Sequence, residues 1–237
     1  SRGPGTTIEF SITLIEQLFG KEKADEVSSI LLLRPNPGEE FTFTELNQTN
    51  WSFEDTPQIL VPIAEESEEI EAIALVDILR RAKANVVIAA VGNSLEVEGS
   101  RKAKLVAEVL LDEVAEKSFD LIVLPGGLNG AQRFASCEKL VNMLRKQAEA
   151  NKPYGGICAS PAYVFEPNGL LKGKKATTHP VVSDKLSDKS HIEHRVVVDG
   201  NVITSRAPGT AMEFSLAIVE KFYGREKALQ LGKATLV

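Results

Sequence analysis

The two ends of the chain repeat each other, and this repeat constrains the fold more than any other feature of the sequence. Residues 1–33 align without a gap on residues 205–237, and 14 of the 33 aligned positions are identical. The offset of 204 residues is too long for a solenoid repeat and matches the length of a whole domain. We therefore expect residues 1–33 to be the C-terminal remnant of a preceding sister domain.

The rest of the chain predicts a linker followed by one complete domain. Residues 34–56 are rich in Pro, Asn, Thr and Glu and lack a sustained periodicity, which is typical of an interdomain linker. Residues 57–237 are long enough for one domain with a sizeable core. Four aromatic residues of the linker are expected to lie against a domain surface: Phe41, Phe43, Trp51 and Phe53.

Composition excludes several classes of partner. With 43% hydrophobic and 25% charged residues the composition is that of a soluble protein, and no apolar run approaches the roughly 20 residues needed to span a bilayer. The net charge is -6 and no Lys/Arg cluster is present, which argues against a nucleic-acid surface. We expect no membrane and no nucleic acid as partners, and a small molecule as substrate.

The two cysteines, Cys137 and Cys158, lie in different local contexts and do not suggest a disulfide framework. This fits a reducing compartment, so the expected location is cytoplasmic or nuclear. Because the chain is expected to start inside a domain, an organellar targeting peptide upstream stays open.

Short β-branched runs alternate with amphipathic stretches along the complete domain. This alternation predicts an α/β fold with a mostly parallel sheet covered by helices on both faces. Strands are predicted at 58–64, 85–91, 119–127 and 152–158, a hairpin at 195–206, and helices at 67–82 (with Ser67 as N-cap), at 130–150, from 159 and from 208, with 105–114 ambiguous. Functional sites of such folds lie at the carboxyl ends of the strands.

Cys158 is the sharpest candidate for a functional residue. In GGICASPA (155–162) it sits where a buried strand turns directly into a helix, and its small neighbours permit the tight turn of a nucleophile elbow. The helix N-terminus is expected to favour the thiolate. The alternative is a small buried core residue, as most free cysteines are.

Three further segments supply candidate partners for this thiol. LPGG (124–127) ends a strand, and one N–H of Gly126 or Gly127 together with that of Ala159 could face an oxyanion, although a simple turn is the alternative. Glu71 could turn its carboxyl toward the site, stay protonated and donate a hydrogen bond to the thiolate; the alternative is a solvated helix start. His179, before Pro180, is either a proton carrier or a surface or hydrogen-bonded histidine. No HxxxH or CxxC spacing supports a metal site.

Taken together, these segments resemble the PfpI superfamily, which is related to class I glutamine amidotransferases, and within it the branch of the human Parkinson-disease protein. The similar segments follow in order as ILVPIAEESEEIEAI, VDILRRA, DLIVLPGGLNGAQ, GGICASPA, KATTHPVVSDK and NVITSRAPGTAMEFSLAIVE. The resemblance implies a flavodoxin-like three-layer sandwich. The upstream repeat resembles the tandem forms of plants, in which two halves replace a homodimer, so a sister domain or a homodimer partner is expected.

The resemblance also implies roles for single residues. It makes Cys158 the nucleophile and oxidation-sensitive thiol, Glu71 its protonated carboxyl partner and His179 the nearby histidine, with backbone amides from Gly127 and Ala159. The implied function is a cofactor-independent, glyoxalase-type or deglycase-like lyase that converts methylglyoxal or glyoxal to a hydroxy acid in carbonyl and oxidative stress. The alternative is a redox sensor or chaperone-like stress protein without significant catalysis, and a third possibility is a scaffold.

Two positions bear on how far the resemblance extends. The protease-like branch carries histidine directly after the cysteine, where this chain has Ala159, which argues against peptidase activity. Ser160 stands where close relatives carry glycine, and this departure puts the shape of the elbow and the room for substrate in question.

Overall fold

A computed structural model of the chain describes residues 1–34 and 40–237. Residues 35–39, which belong to the predicted linker, lie outside the described residues. In chain order the elements are α1 (Thr7–Phe19), α2 (Lys21–Leu31), β1 (Thr44–Leu46), β2 (Gln58–Ile63), α3 (Glu69–Arg81), β3 (Asn85–Ala90), β4 (Glu96–Glu98), β5 (Lys104–Val106), β6 (Val109–Leu110), α4 (Leu111–Val114), β7 (Leu121–Leu124), α5 (Leu128–Ser136), α6 (Glu138–Glu149), β8 (Tyr154–Ile157), β9 (Val196–Asp199), β10 (Val202–Ser205), α7 (Ala211–Tyr223) and α8 (Arg225–Thr235).

The domain is built on a sheet with the strand order β1-β9-β10-β8-β7-β2-β3-β6. All of its pairs are parallel except β9 with β10, which form the predicted antiparallel hairpin around Gly200. The predicted mostly parallel α/β architecture is therefore confirmed. None of the helices among the described residues is both long enough and apolar enough to cross a bilayer.

The strands bury both of their faces because helices cover both sides of the sheet. Along β2, Ile59 and Val61 join one core cluster, which contains residues of α3, α7 and α8. Leu60 between them points into the other cluster, which contains residues of α4, α5 and α6. Because both faces of the central strands are buried, their sequences are continuous apolar runs rather than alternating apolar and polar residues.

Three predicted elements differ in the structure. The helix predicted at 130–150 is interrupted at Cys137, whose extended backbone (φ -87°, ψ 91°) separates α5 from α6. The ambiguous segment 105–114 divides into the end of β5, then β6 and α4. The helix predicted from residue 159 is one π-helical turn, Pro161–Phe165. Each difference lies at a short element, where local propensity is weak compared with tertiary contacts.

The repeated sequences fold into the same helix pair. Helices α1 and α2 correspond to α7 and α8 at the repeat offset, residue for residue at both ends. The glycines that join the helices, Gly20 and Gly224, share a left-handed φ of 87° and 85°. Leu32 and Leu236, which end the pairs, also share positive φ values of 56° and 62°.

The two helix pairs dock on each other through reciprocal close contacts. A Cβ added to Gly5 would meet the carbonyl oxygen of Leu236, and a Cβ added to Gly209 would meet that of Leu32. The Arg195 guanidinium donates to the Leu32 carbonyl at 2.8 Å. The N-terminal segment therefore lies against the C-terminal helix pair of the same chain, in an approximate two-fold arrangement.

Most of the apolar face of α1 nevertheless stays uncovered. Phe10 is 47% exposed and Leu18 is 72% exposed, whereas their repeat counterparts Phe214 and Phe222 are 0% and 8% exposed. Helix α7 packs on α3 and the sheet, and within the described part of the chain α1 has no corresponding neighbour. The division into remnant, linker and domain stays a prediction.

The segment before β2, which was predicted to be a linker, contains regular structure. Strand β1 pairs in parallel with β9 at the edge of the sheet. Phe41 and Trp51 are buried in the core cluster of α7, and the Trp51 indole donates to the Gly200 carbonyl at 3.0 Å. The expectation that these aromatic residues lie against a domain surface is confirmed.

Candidate functional site

Cys158 occupies a strained turn at the carboxyl end of β8. Its φ of 63° lies in the left-handed region, which non-glycine residues rarely adopt. Three hydrogen bonds hold the turn: the Cys158 N–H donates to Ser205 O (3.0 Å), and its carbonyl accepts from the Thr178 hydroxyl (2.6 Å) and the His179 N–H (2.9 Å). The tight turn predicted at Cys158 is therefore present, and one π turn follows it in place of the predicted helix.

Ser160 ties this elbow to the neighbouring strand. Its buried hydroxyl donates to the Pro125 carbonyl at 2.6 Å. A glycine at this position could not make that bond, so the serine reinforces the contact between the elbow and the end of β7.

The glycine turn after β7 lies directly against the elbow. A Cβ on Gly126 would be 2.4 Å from the Cys158 Cβ, so only glycine fits there. Gly127 has a φ of 85°, and a Cβ on it would be 2.2 Å from the Glu66 carbonyl. The N–H groups of Gly127 and Ala159 both act as donors to the Cys158 sulfur.

Glu71 is fully buried on the first turn of α3 and lies against the thiol. Its Oε2 accepts the Gly126 N–H at 2.7 Å, while among the described residues Oε1 has no hydrogen-bond partner. Burial raises the pKa of Glu71 well above its usual range, and the charge of Glu68 raises it further. Glu71 is therefore protonated near neutral pH and can donate a proton or a hydrogen bond.

The electrostatics of Cys158 differ from the expectation that a helix N-terminus favours the thiolate. Burial raises the pKa of the Cys158 thiol, and a charged Glu71 would raise it further. The N–H groups of Gly127 and Ala159 lower it. Because the following helix is only one π turn, its dipole is small. Stabilisation of the thiolate therefore depends on the two amides and on protonation of Glu71.

His179 is near the elbow through its backbone rather than through a free ring. Its Nδ1 accepts the Val181 N–H at 3.3 Å, and the backbone of Ile30 in α2 accepts a hydrogen bond from the ring. Burial lowers the pKa of His179, so the ring is neutral at pH 7. Both ring nitrogens thus have backbone partners, which matches the hydrogen-bonded alternative and makes Glu71 the better placed proton carrier.

The structure thus brings Cys158, Glu71, Gly127 and Ala159 into one constellation, with His179 beside it.

Glu68 was not identified from the sequence. It caps α3 in place of the predicted Ser67, whose hydroxyl instead accepts the Ala64 N–H. The run of adjacent carboxylates concealed this role, because several residues could serve as the cap. No group of three or more His, Cys, Asp or Glu side chains in residues 1–34 and 40–237 is arranged to hold a metal ion.

Comparison with known proteins shows which family the chain is similar to. The model described as DJ-1/PfpI family matches residues 57–221. Protein DJ-1 homolog B of Arabidopsis thaliana is 75% identical over 237 residues, which is all of this chain and 54% of that protein. The chain thus spans about half the length of this relative.

Two further relatives each match about three quarters of the chain. The glutathione-independent glyoxalase DJR-1.2 of Caenorhabditis elegans is 38% identical over 178 residues, 74% of this chain and 92% of that protein. The solved structure of oxidized Toxoplasma gondii DJ-1 superposes with a TM-score of 0.75 at 38% identity and covers 76% of this chain and 98% of that one. The similarity therefore extends over fold and sequence together.

Proposed function

The chain belongs to the DJ-1/PfpI family, and we propose that it is a cofactor-independent, glyoxalase-type enzyme that acts on methylglyoxal or glyoxal through Cys158. The observation that carries the proposal is the buried Glu71 carboxyl against the Cys158 thiol, with one oxygen fixed by Gly126 and the other unpartnered among the described residues. The similarity to a protein named as a glutathione-independent glyoxalase supports it.

The reaction begins with addition of the Cys158 thiolate to the aldehyde carbon of the substrate. The S–C bond that forms converts the carbonyl oxygen into an alkoxide, which takes up a proton to give a hemithioacetal. We assign the stabilisation of that oxyanion to the N–H groups of Gly127 and Ala159, which also lower the pKa of the Cys158 thiol.

A proton then moves between the two adjacent carbons of the substrate. Glu71, left as a carboxylate after it gives its proton to the alkoxide, removes the hydrogen from the carbon bonded to sulfur, and the electron pair shifts onto the neighbouring carbonyl oxygen to give an enediolate. The hydroxyl proton of the first carbon passes to this oxygen, and Glu71 returns its proton to the second carbon, which leaves a thioester. Water hydrolyses the thioester, which releases the hydroxy acid and the thiol. Glu71 is the carrier because it contacts Cys158 directly, whereas both ring nitrogens of His179 are engaged.

The test is formation of the hydroxy acid from methylglyoxal by the purified chain. Cys158→Ala is expected to abolish turnover, and Glu71→Gln to reduce it at least tenfold because the amide cannot carry the proton. Cys137→Ala is the matched control, since Cys137 is the second cysteine of the chain and lies at the joint between α5 and α6. Equal turnover by the parent and Cys158→Ala would exclude the proposal.

A second candidate function rests on the same unpartnered oxygen. Oxidation of Cys158 by two equivalents of peroxide would form a sulfinate and release two water molecules. Protonated Glu71 could donate a hydrogen bond to one sulfinate oxygen, and the Gly127 and Ala159 N–H groups could hold the other. Mass spectrometry after mild peroxide tests this redox-sensor function: it requires a selective gain of two oxygens at Cys158 and none at Cys137.

A further inference from the structure

Glu68 is tied to the site by a closed ring of three hydrogen bonds. Its carboxylate Oε2 accepts the Glu71 N–H at 2.9 Å, and its own N–H donates to the Gly126 carbonyl at 3.0 Å. The Gly126 N–H completes the ring by donating to Glu71 Oε2 at 2.7 Å. Each member of the ring therefore fixes the other two.

We propose that Glu68 is a positioning residue for the Cys158 site, which holds the Glu71 carboxyl against the thiol and keeps the proton on it. Glu68 does not touch the thiol in this arrangement. It acts through the start of α3 and through its negative charge, and its role rests on the function proposed above for Cys158 and Glu71.

The orientation of Glu71 follows from the ring. Because Glu68 caps the helix and Gly126 holds Oε2, the Glu71 carboxyl is fixed in one orientation, with Oε1 buried and without a hydrogen-bond partner among the described residues. Helix α3 has 13 residues, so a charged side chain at its N-cap is stabilised by the free N–H groups of its first turn. Glu71, three residues later on the same turn, is fully buried and accepts one N–H, that of Gly126, among the described residues.

The different surroundings of Glu68 and Glu71 also determine which of the two carboxyls holds the proton. Burial raises the pKa of Glu68 to about 7, while its hydrogen bonds from the N–H groups of Glu71 and Ile70 lower it. The charged groups that face it are Glu69, which raises this pKa, and Arg101, which lowers it, in addition to Glu71. Two adjacent carboxyls cannot both ionise easily. Glu68 therefore ionises before Glu71, and above about pH 7 Glu68 carries the charge while Glu71 keeps the proton.

Glu68→Gln separates the charge from the hydrogen bond, because the amide oxygen still accepts the Glu71 N–H. The protonated carboxyl of Glu71 is detected by its carbonyl band in the infrared spectrum, assigned by its loss in Glu71→Gln. We expect the pH at which this band disappears to fall by about one unit in Glu68→Gln, since a neighbouring negative charge is gone. Asp77→Asn, which removes an exposed charge from the same helix, should leave it unchanged.

Turnover of methylglyoxal gives the second readout. Above the Glu71 pKa, a shift of one unit reduces the protonated fraction about tenfold, so the upper limb of the pH–rate profile of Glu68→Gln moves to lower pH. Glu68→Ala, which also loses the cap, should show the same shift and a lower stability to urea.

The proposal is overturned if the infrared titration of Glu68→Gln superimposes on that of the parent. It is also overturned if Glu68→Gln retains every property that Glu68→Ala loses. The latter result would mean a purely structural cap. Absence of methylglyoxal turnover in the parent would count against the proposed enzyme alone, because the infrared titration reports on Glu71 without any substrate.

Discussion

Replacement of Gly126 by alanine tests whether the glycine turn and the elbow are packed as tightly as the structure indicates. The added Cβ would be 2.4 Å from the Cys158 Cβ, 2.8 Å from Glu71 Oε2 and 3.0 Å from the Ile157 carbonyl oxygen. The Cys158 and Ile157 atoms belong to or adjoin the main chain, so no flexible side chain can move aside. The turn itself must shift by roughly 1 Å to restore ordinary contacts.

Two costs follow from that shift. Overpacking of a tight interior site costs about 1–3 kcal/mol. Movement of the Gly126 N–H away from Glu71 leaves a buried carboxyl oxygen without its donor, which costs about another 1–3 kcal/mol. We therefore expect Gly126→Ala to lower the free energy of unfolding by about 2–6 kcal/mol and to disturb the reactivity of Cys158.

Urea unfolding followed by the fluorescence of the buried Trp51 measures the first effect, and the rate of Cys158 alkylation in a Cys137→Ala background measures the second. Gly232→Ala is the matched control. A Cβ there would be 3.5 Å from the Leu216 side chain, within ordinary contact, and alanine stabilises a helix interior by up to about 1 kcal/mol. A Gly126→Ala variant within about 0.5 kcal/mol of the parent would refute the reasoning.

Three further predictions follow from burial, charge and close contact. Phe214→Ala should cost about 3–5 kcal/mol in urea unfolding, whereas its repeat counterpart Phe10→Ala, at a half-exposed position, should cost less than about 1 kcal/mol. Burial raises the pKa of Glu68 from 4.5 to about 7, so the folded state binds this proton more tightly than the unfolded chain does. The resulting contribution to the free energy of unfolding is complete below pH 4.5 and falls by about 3 kcal/mol as the pH rises through 7. Glu68→Gln should make the free energy of unfolding less dependent on pH over this range. Gly5→Val places a side-chain atom 2.3 Å from the Leu236 carbonyl oxygen and should displace α1 and α2, which would make them susceptible to limited proteolysis. Gly3→Ala first meets a flexible leucine side chain and should leave the proteolysis pattern unchanged.

The sheet and its strands could be predicted because each central strand is an apolar run between turn residues, and such runs have few alternatives. The segment 58–64 is predicted as a strand and forms β2, and the Asp199-Gly200 turn forms the hairpin. Short elements could not be predicted in this way. The break at Cys137 and the π turn after the elbow depend on contacts with residues far away in sequence, which a local pattern does not contain.

At the site, too, features that are local in sequence could be predicted and features that depend on long-range contacts could not. Cys158 could be identified because its strand, its small neighbours and the turn are all local in sequence. The protonated state of Glu71 could only be a hypothesis, because it depends on complete burial and on the charge of Glu68. The engagement of the His179 ring depends on Ile30, about 150 residues earlier, so no spacing within the complete domain could indicate it.

The repeat shows why a sequence pattern determines a helix more reliably than it determines burial. Both copies have the same glycine joint and the same terminal left-handed leucine, so their local structure is identical. Whether an apolar face is covered depends instead on the opposite surface. In α7 that surface is α3 and the sheet, and the side chains of its apolar face are almost fully buried. The corresponding face of α1 has the same chemistry, so a second domain with an α3-like helix would complement it, and removal of its apolar side chains should lower the affinity for such a partner without affecting the folding of the complete domain.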